Sequence, residues 1–312
     1  MNLMTNEKPY NTLNAFYRHT FGKKVFKVSL NGDFTCPNKD GRSGSGGCIF
    51  CSESGSGDFS GDKSDSLKTQ FTTMKDMMSL KWPDAYYIAY FQSNTNTYGP
   101  INKLKQLFYS ALELDKNIVG LSIATRPDAL NEEIYDLLED LSKKTYLIVE
   151  LGLQSIHEKT SAFINRGHTL ECFTKAVKEL RKRGINVVVH IINGFHIETK
   201  DEMLQTVDYV NNLGIQGIKI HLLHIMKKTA LGHLYLKEPF KVLTLNEYKD
   251  IVCDQLERLD PSIIIHRLTG DSPKELLIEP QWSLKKFIVM NEIDKEMRLR
   301  GSKQGCKFKG EA

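Results

Sequence analysis

No apolar run in these 312 residues approaches the length of a bilayer-spanning helix, so the pattern predicts no membrane segment. The opening stretch Met1-Asn2-Leu3-Met4-Thr5-Asn6-Glu7-Lys8 has no targeting character, and a cytoplasmic protein is expected. Charge of one sign is scarce as well. With 42 Lys and Arg against 38 Asp and Glu, the net +4 is too small to decide a partner. Cysteine is sparse, and three of the six, Cys172, Cys253 and Cys306, are scattered singly. Cys172 and Cys253 fall in helical patterns and read as small buried apolar residues, which leaves no ligand set for a second metal site. No CxxC or HxxxH follows Cys48-Ile49-Phe50-Cys51 at the distance that would complete a zinc knuckle.

What is present is one loop with three cysteines: Gly32-Asp33-Phe34-Thr35-Cys36-Pro37-Asn38, then Gly46-Gly47-Cys48-Ile49-Phe50-Cys51. An iron–sulfur cube on three thiolates leaves one iron open for chemistry, whereas a fourth protein ligand would suggest a structural site. A thioredoxin-like CxxC would open a helix after a strand and has no use for a third cysteine. A structural disulfide is disfavoured, because thiols inside the cell stay reduced. On spacing alone a cluster, a zinc site and redox-active cysteines all remain open.

The length suits one large domain or two small ones with a substantial core. Apolar runs at 25–30, 85–91, 118–124, 146–151, 186–192 and 216–222 read as strands covered by helices. Amphipathic segments at 67–80, 102–114, 132–141, 170–183 and 200–213 lie between them. Thr199-Lys200-Asp201-Glu202 forms a capping box, and Gly184 fits a C-terminal helix stop. Strand starts at 85, 118, 146, 186 and 216 repeat like βα units. The expected fold is α/β, a partial (β/α)6 TIM-like barrel, with a doubly wound sheet as the topological alternative. Three segments are expected: a lead-in over 1–20, a core over 21–240, and a C-terminal α/β extension over 241–312. The extension carries a helix at 245–259, a short strand at 263–268 and a terminal helix at 283–300. The Gly- and Ser-rich stretch 38–63 is a long loop rather than a linker. In either fold the site gathers at the carboxyl ends of the strands, where the cysteine loop would meet Gln92-Ser93, Gln154, Asn193-Gly194 and His224.

Phe-Thr-Cys-Pro-Asn-x-Asp-Gly followed by Gly-Gly-Cys-x-Phe-Cys resembles the YhcC/YtqA-like bacterial family of the radical S-adenosylmethionine superfamily. That family is related to the branch of the Elongator catalytic subunit and coproporphyrinogen dehydrogenase-like proteins. The likeness runs from about Tyr10 to Gln304 and includes His190-Ile191-Ile192-Asn193-Gly194, Lys219-Ile220-His221 and Arg267-Leu268-Thr269-Gly270-Asp271. It implies a 4Fe-4S cluster on Cys36, Cys48 and Cys51 that binds S-adenosylmethionine and cleaves it reductively to a 5′-deoxyadenosyl radical. Flavodoxin or ferredoxin is implied as electron donor.

By position the resemblance implies further roles. Phe50 would pack near the adenine, and Gln92 and Ser93 would meet the methionine amino group. Gln154 would contact the ribose and Arg166 the methionine carboxylate, while His190, Asn193 and Gly194 would contribute to cofactor binding. Where relatives continue Asn-Gly with Leu-Pro-Gly-Glu, this chain has Phe195-His196-Ile197-Glu198 and keeps only the acid. No catalytic residue is assigned, and His221, His224, Lys227, Arg267 and Asp271 are left without a role. His221 and His224, three apart on a strand, are expected on opposite faces.

The substrate expected from the resemblance is tRNA, at the wobble uridine side chain in the aminomethyl-uridine branch. Lys285, Lys286, Lys295, Arg298, Arg300, Lys303, Lys307 and Lys309 near the C-terminus suit a nucleic-acid surface or a solvated helix face. The competing functions are a radical enzyme for a small metabolite and a zinc-dependent nucleic-acid-binding protein without catalysis.

Overall fold

The computed structural model describes residues 2–52, 55 and 60–310; residues 53–54 and 56–59 of the expected long loop, and the two terminal stretches, lie outside it. The strands are β1 Val25–Leu30, β2 Tyr86–Phe91, β3 Ile118–Thr125, β4 Tyr146–Gln154, β5 Asn186–Asn193, β6 Gly217–Leu222, β7 Ile225–Met226, β8 Ile264–Arg267 and β9 Leu277–Glu279. The helices are α1 Leu13–Phe21, α2 Leu67–Ser79, α3 Ile101–Leu112, α4 Glu132–Lys144, α5 Glu158–Phe163, α6 Leu170–Lys182, α7 Lys200–Asn211, α8 Ala230–Lys237, α9 Leu245–Arg258 and α10 Lys286–Leu299.

One sheet runs β1-β2-β3-β4-β5-β6-β8, with each neighbouring pair parallel. Its order follows the chain without the reversal that marks a doubly wound sheet, so the partial barrel is the fold. It holds seven strands rather than six: Ile264–Arg267, in the expected extension, pairs with β6. The small β7–β9 ribbon lies outside this sheet.

Helix ends follow local chemistry. Asn131 caps α4 by accepting from the Ile134 amide, Glu132 and Glu133 occupy its positive end, and Lys143 and Lys144 its negative end. Its buried residues Ile134, Leu137, Leu138 and Leu141 recur at helical spacing and face the sheet core. The capping box at Thr199 and Glu202 starts α7, and Gly184 leaves α6 at φ +73, a left-handed conformation glycine enters without strain. The lead-in contains a helix the sequence pattern did not announce. Thr12 caps α1, which touches both edge strands β1 and β8 and buries Tyr17 against Val25 and Ile88.

Between sheet and helices, side chains such as Val28, Leu121, Val149, Val187 and Ile218 are fully buried. The other strand face is different. Lys27, Tyr90, Ser122, Glu150, His190 and Lys219 supply one polar residue from each of six successive strands to the barrel interior. Among the described residues no helix is long and apolar enough to cross a membrane.

Candidate active site

A cavity of about 550 Å³ opens at the carboxyl ends of the strands. Much of its lining recurs at every second residue: Tyr90 on β2 and Gln92 just past its end, Glu150, Gly152 and Gln154 on β4, His190 and Ile192 on β5, Lys219 and His221 on β6. Period-two alternation thus carries the site, because these positions share one face of the sheet.

Cys36, Cys48 and Cys51 line one end of the cavity. The Asn165–Arg166 turn holds their loop. Asn165 Nδ2 donates to the carbonyls of Ser45 and Gly47, and Ile49 N donates to Ile164 O at 3.1 Å. Asn38 Nδ2 donates to Asn165 O and reaches Cys48 Sγ at 3.7 Å. The Cys48 thiol is drawn down to about 7 by its hydrogen bond with Cys51, against burial and with help from Arg126 and Asn38. Among the described residues no three His, Cys, Asp or Glu side chains are gathered closely enough for one ion.

Beside the cysteines stand the two groups best shaped for a polar ligand. Arg166 is 1% exposed; Nη1 donates to the carbonyls of Leu153 and Ser155, Nε donates to His168 O, and Nη2 has no partner among the described residues. Gln154 sits at φ +62 beyond a register shift in β4, with Oε1 buried and without a partner among the described residues. Unsatisfied buried groups are costly, and strained backbone persists where the surroundings fix it. Three thiols, an orphan N–H donor and an orphan carbonyl on one ligand-sized cavity fit a cluster and a polar nucleoside cofactor.

Five further expected contacts are placed as follows. Phe50 lines the cavity and also anchors its loop, with its ring centroid 6.3 Å from that of Phe195. Gln92 lines the cavity and accepts from Ser29 Oγ at 3.0 Å. Ser93 is not brought to the cavity, because its hydroxyl is buried against Ser60. Asn193 and Gly194 also lie outside the lining. The Asn193 amide exchanges two hydrogen bonds with Gln255 on α9, at 2.8 and 2.9 Å, while Gly194 turns the chain at φ +104.

His190 lines the cavity but is bound into a network that the sequence motifs did not reveal. Glu150 Oε1 accepts from Lys27 and Ser122; Glu150 Oε2 accepts from Tyr90 at 3.0 Å and from Lys219, and meets His190 Nε2 at 2.7 Å. Burial opposes ionisation of this carboxyl, yet Lys219, Lys27 and His190 hold it well below the usual range. Burial pushes His190 down to about 4. The available signal was the alternation of polar residues inside apolar strands. His221 and His224 do not face opposite sides: β6 ends at Leu222, the chain turns, and both imidazoles line the cavity with Nε2 buried and unpartnered. Lys227 lies outside the lining and donates to Glu275 O, whereas Arg267 and Asp271 line the cavity and pair at 3.3 Å.

The basic C-terminus is only partly available. Arg300 bridges to Asp250, Asp254 and Glu296, and Lys307 pairs with Glu257. Lys285 has no carboxylate partner among the described residues, and the next residues are Lys286, which lines the cavity, and Phe287, which is 84% exposed.

Comparison with known proteins gives consistent matches. Residues 40–210 match the Radical SAM superfamily and residues 215–298 the Radical_SAM C-terminal domain. The chain is 51% identical to the uncharacterized protein YtqA of Bacillus subtilis, over 97% of this chain and 94% of that protein. It is 32% identical to protein YhcC of Escherichia coli, over 96% and 95% respectively. Among solved structures it shares the fold of the archaeal Methanocaldococcus infernus Elp3, with a TM-score of 0.66, 18% identity, and coverage of 90% of this chain and 64% of that one.

Proposed function

The chain belongs to the radical SAM superfamily, and from that premise we propose that it modifies tRNA at the wobble uridine side chain, in the aminomethyl-uridine branch. The cofactors of the family are a 4Fe-4S cluster and S-adenosylmethionine, so the zinc-only and redox-cysteine readings of the loop are set aside. Cys36, Cys48 and Cys51 would hold the cluster; Arg166 Nη2, Gln154 Oε1 and Gln92 would hold S-adenosylmethionine, with Phe50 alongside. When bound, this pair supplies one-electron cleavage of a sulfonium C–S bond and, through it, hydrogen-atom abstraction from an unactivated C–H bond. A low-potential electron donor is required, and flavodoxin or ferredoxin would serve.

The chain's own residues orient and enclose. Arg166 and Arg126 lock the turn beside the cysteines, Arg126 through two 2.9 Å contacts to Asp128 and a 2.8 Å bond to Arg166 O. Phe50, Ile192, Leu222, Leu223 and Met226 give the cavity apolar wall that excludes water.

Phe287 is the observation that carries the tRNA reading. Its exposed ring, one residue past the cavity-lining Lys286 and two past Lys285, suits an unstacked base, while lysines meet phosphates. The resemblance to the Elongator branch agrees with it.

Reconstituted protein incubated anaerobically with dithionite and S-adenosylmethionine should release 5′-deoxyadenosine, and bulk tRNA should stimulate that release. In a deletion strain, mass spectrometry of tRNA nucleosides should show a wobble-uridine derivative lost or replaced. An unchanged nucleoside profile would overturn the tRNA reading and turn attention to a small metabolite.

A further inference from the structure

Two ammonium groups, Lys27 and Lys219, share the one buried carboxylate of Glu150 at the barrel-side end of the cavity. Across the β6–β8 pairing, Lys219 stands opposite Arg267, whose carboxylate partner Asp271 is itself shared with Lys286. Three cations of the lining, Lys219, Arg267 and Lys286, therefore meet two anions in this half of the cavity, and one of those anions, Glu150, is also held by Lys27 from outside the lining. Positive charge in excess at the wall of a cavity attracts an opposite charge to balance it.

The same end also has unused donors. Of its three N–H groups, Lys219 uses two, on Glu150 and on Tyr90 Oη at 3.1 Å. His221 Nε2 is buried without a partner among the described residues, and its ring lies 5.3 Å from that of His190. Among the described residues Arg267 spends its fork of donors on one 3.3 Å contact. Burial pulls the Lys219 ammonium down to about 7 against the pull of Glu150, with Lys27 and Arg267 adding to the effect of burial.

We infer that this end of the cavity is an anion subsite in which Lys219, Arg267 and His221 hold a carboxylate or phosphate group carried by the substrate. It rests on the cavity being the substrate site and names the chemistry of what enters. The cations beside the cysteines serve the other end, so the two ends recognise different parts of the bound molecules.

The test uses reconstituted protein saturated with S-adenosylhomocysteine, which occupies the cysteine end. Acetate, inorganic phosphate and neutral acetamide are titrated calorimetrically at fixed ionic strength. Saturable binding of acetate or phosphate without binding of acetamide supports the subsite, and the tighter of the two identifies the anion. Lys219→Met and Arg267→Gln should each weaken that binding about tenfold or more. Arg267 is partly exposed, so its variant keeps the test sound should Lys219→Met fail to fold. Equal responses to acetate and acetamide, or anion binding that survives both substitutions, would overturn the inference. Release of 5′-deoxyadenosine is read separately, so failure here is distinguishable from failure of the radical or tRNA reading.

Discussion

At Gly152 a single hydrogen atom decides where Gln154 can lie, because a Cβ there would collide with Gln154 Nε2. The obstructed atom is the end of a flexible side chain, so the fold can yield while the site cannot. Gly152→Ala should cost under about 1 kcal/mol in chemical denaturation. S-adenosylmethionine affinity, measured by equilibrium dialysis, should nevertheless fall; unaltered affinity would remove Gln154 from the proposed contacts. The buried histidines make a second prediction at this scale. Burial holds His190 and His224 down to about 4 and His168 down to about 3, below the ordinary value of 6.5. Between those values and 6.5 the unfolded chain binds more protons, so stability is lost as pH falls through that window. The melting midpoint should therefore drop between pH 7 and pH 5, and His190→Gln should flatten the drop. A midpoint that rises on acidification would contradict the burial of these rings.

Where β5 meets α9, two amides do the joining. Asn193 and Gln255 are both buried and satisfy each other, and Gln255 also donates to the Met203 carbonyl. Gln255→Leu should cost about 1–3 kcal/mol by leaving Asn193 unsatisfied, and adding Asn193→Leu should recover part of the loss. Strict additivity in urea unfolding would deny the coupling. The pair also explains why Asn193 was legible as a motif residue while its placement was not: its partner lies 62 residues away. Elements with strong local signals were readable, such as the six apolar strands, the Thr199–Glu202 capping box and the stop at Gly184. Long-range pairing was not. Ile264–Arg267 reads as a short strand, but nothing local assigns it to the edge beside β6. Glu150 and Lys219 were hidden because charged residues inside apolar strands reveal a partner only once six strands curve around one interior. His221 and His224 were misjudged because strand alternation was applied to His224, two residues past the end of β6 at Leu222.

As a whole molecule the protein sets a deep polar barrel under a rim where the start of α10 places Lys285, Lys286 and Phe287 in succession. Arg300 and Lys307 of the basic tail do not add free charge to this rim, since acids on α9 hold them. Any tRNA contact should therefore be local and aromatic as well as electrostatic. Affinity for bulk tRNA, measured by filter binding, should fall steeply with salt, with a slope set by the few phosphates the rim neutralises. Lys285→Ala should make that slope shallower, because one phosphate contact is removed and no ion pair among the described residues is broken. Phe287→Ala should leave the slope nearly unchanged and lower affinity at every salt concentration by about 1–3 kcal/mol, the worth of one stacked base. The ring is 84% exposed, so its truncation should leave the melting midpoint in place. Equal tRNA affinity for the wild type and both variants would move the RNA surface away from α10 and leave the exposed ring without this role.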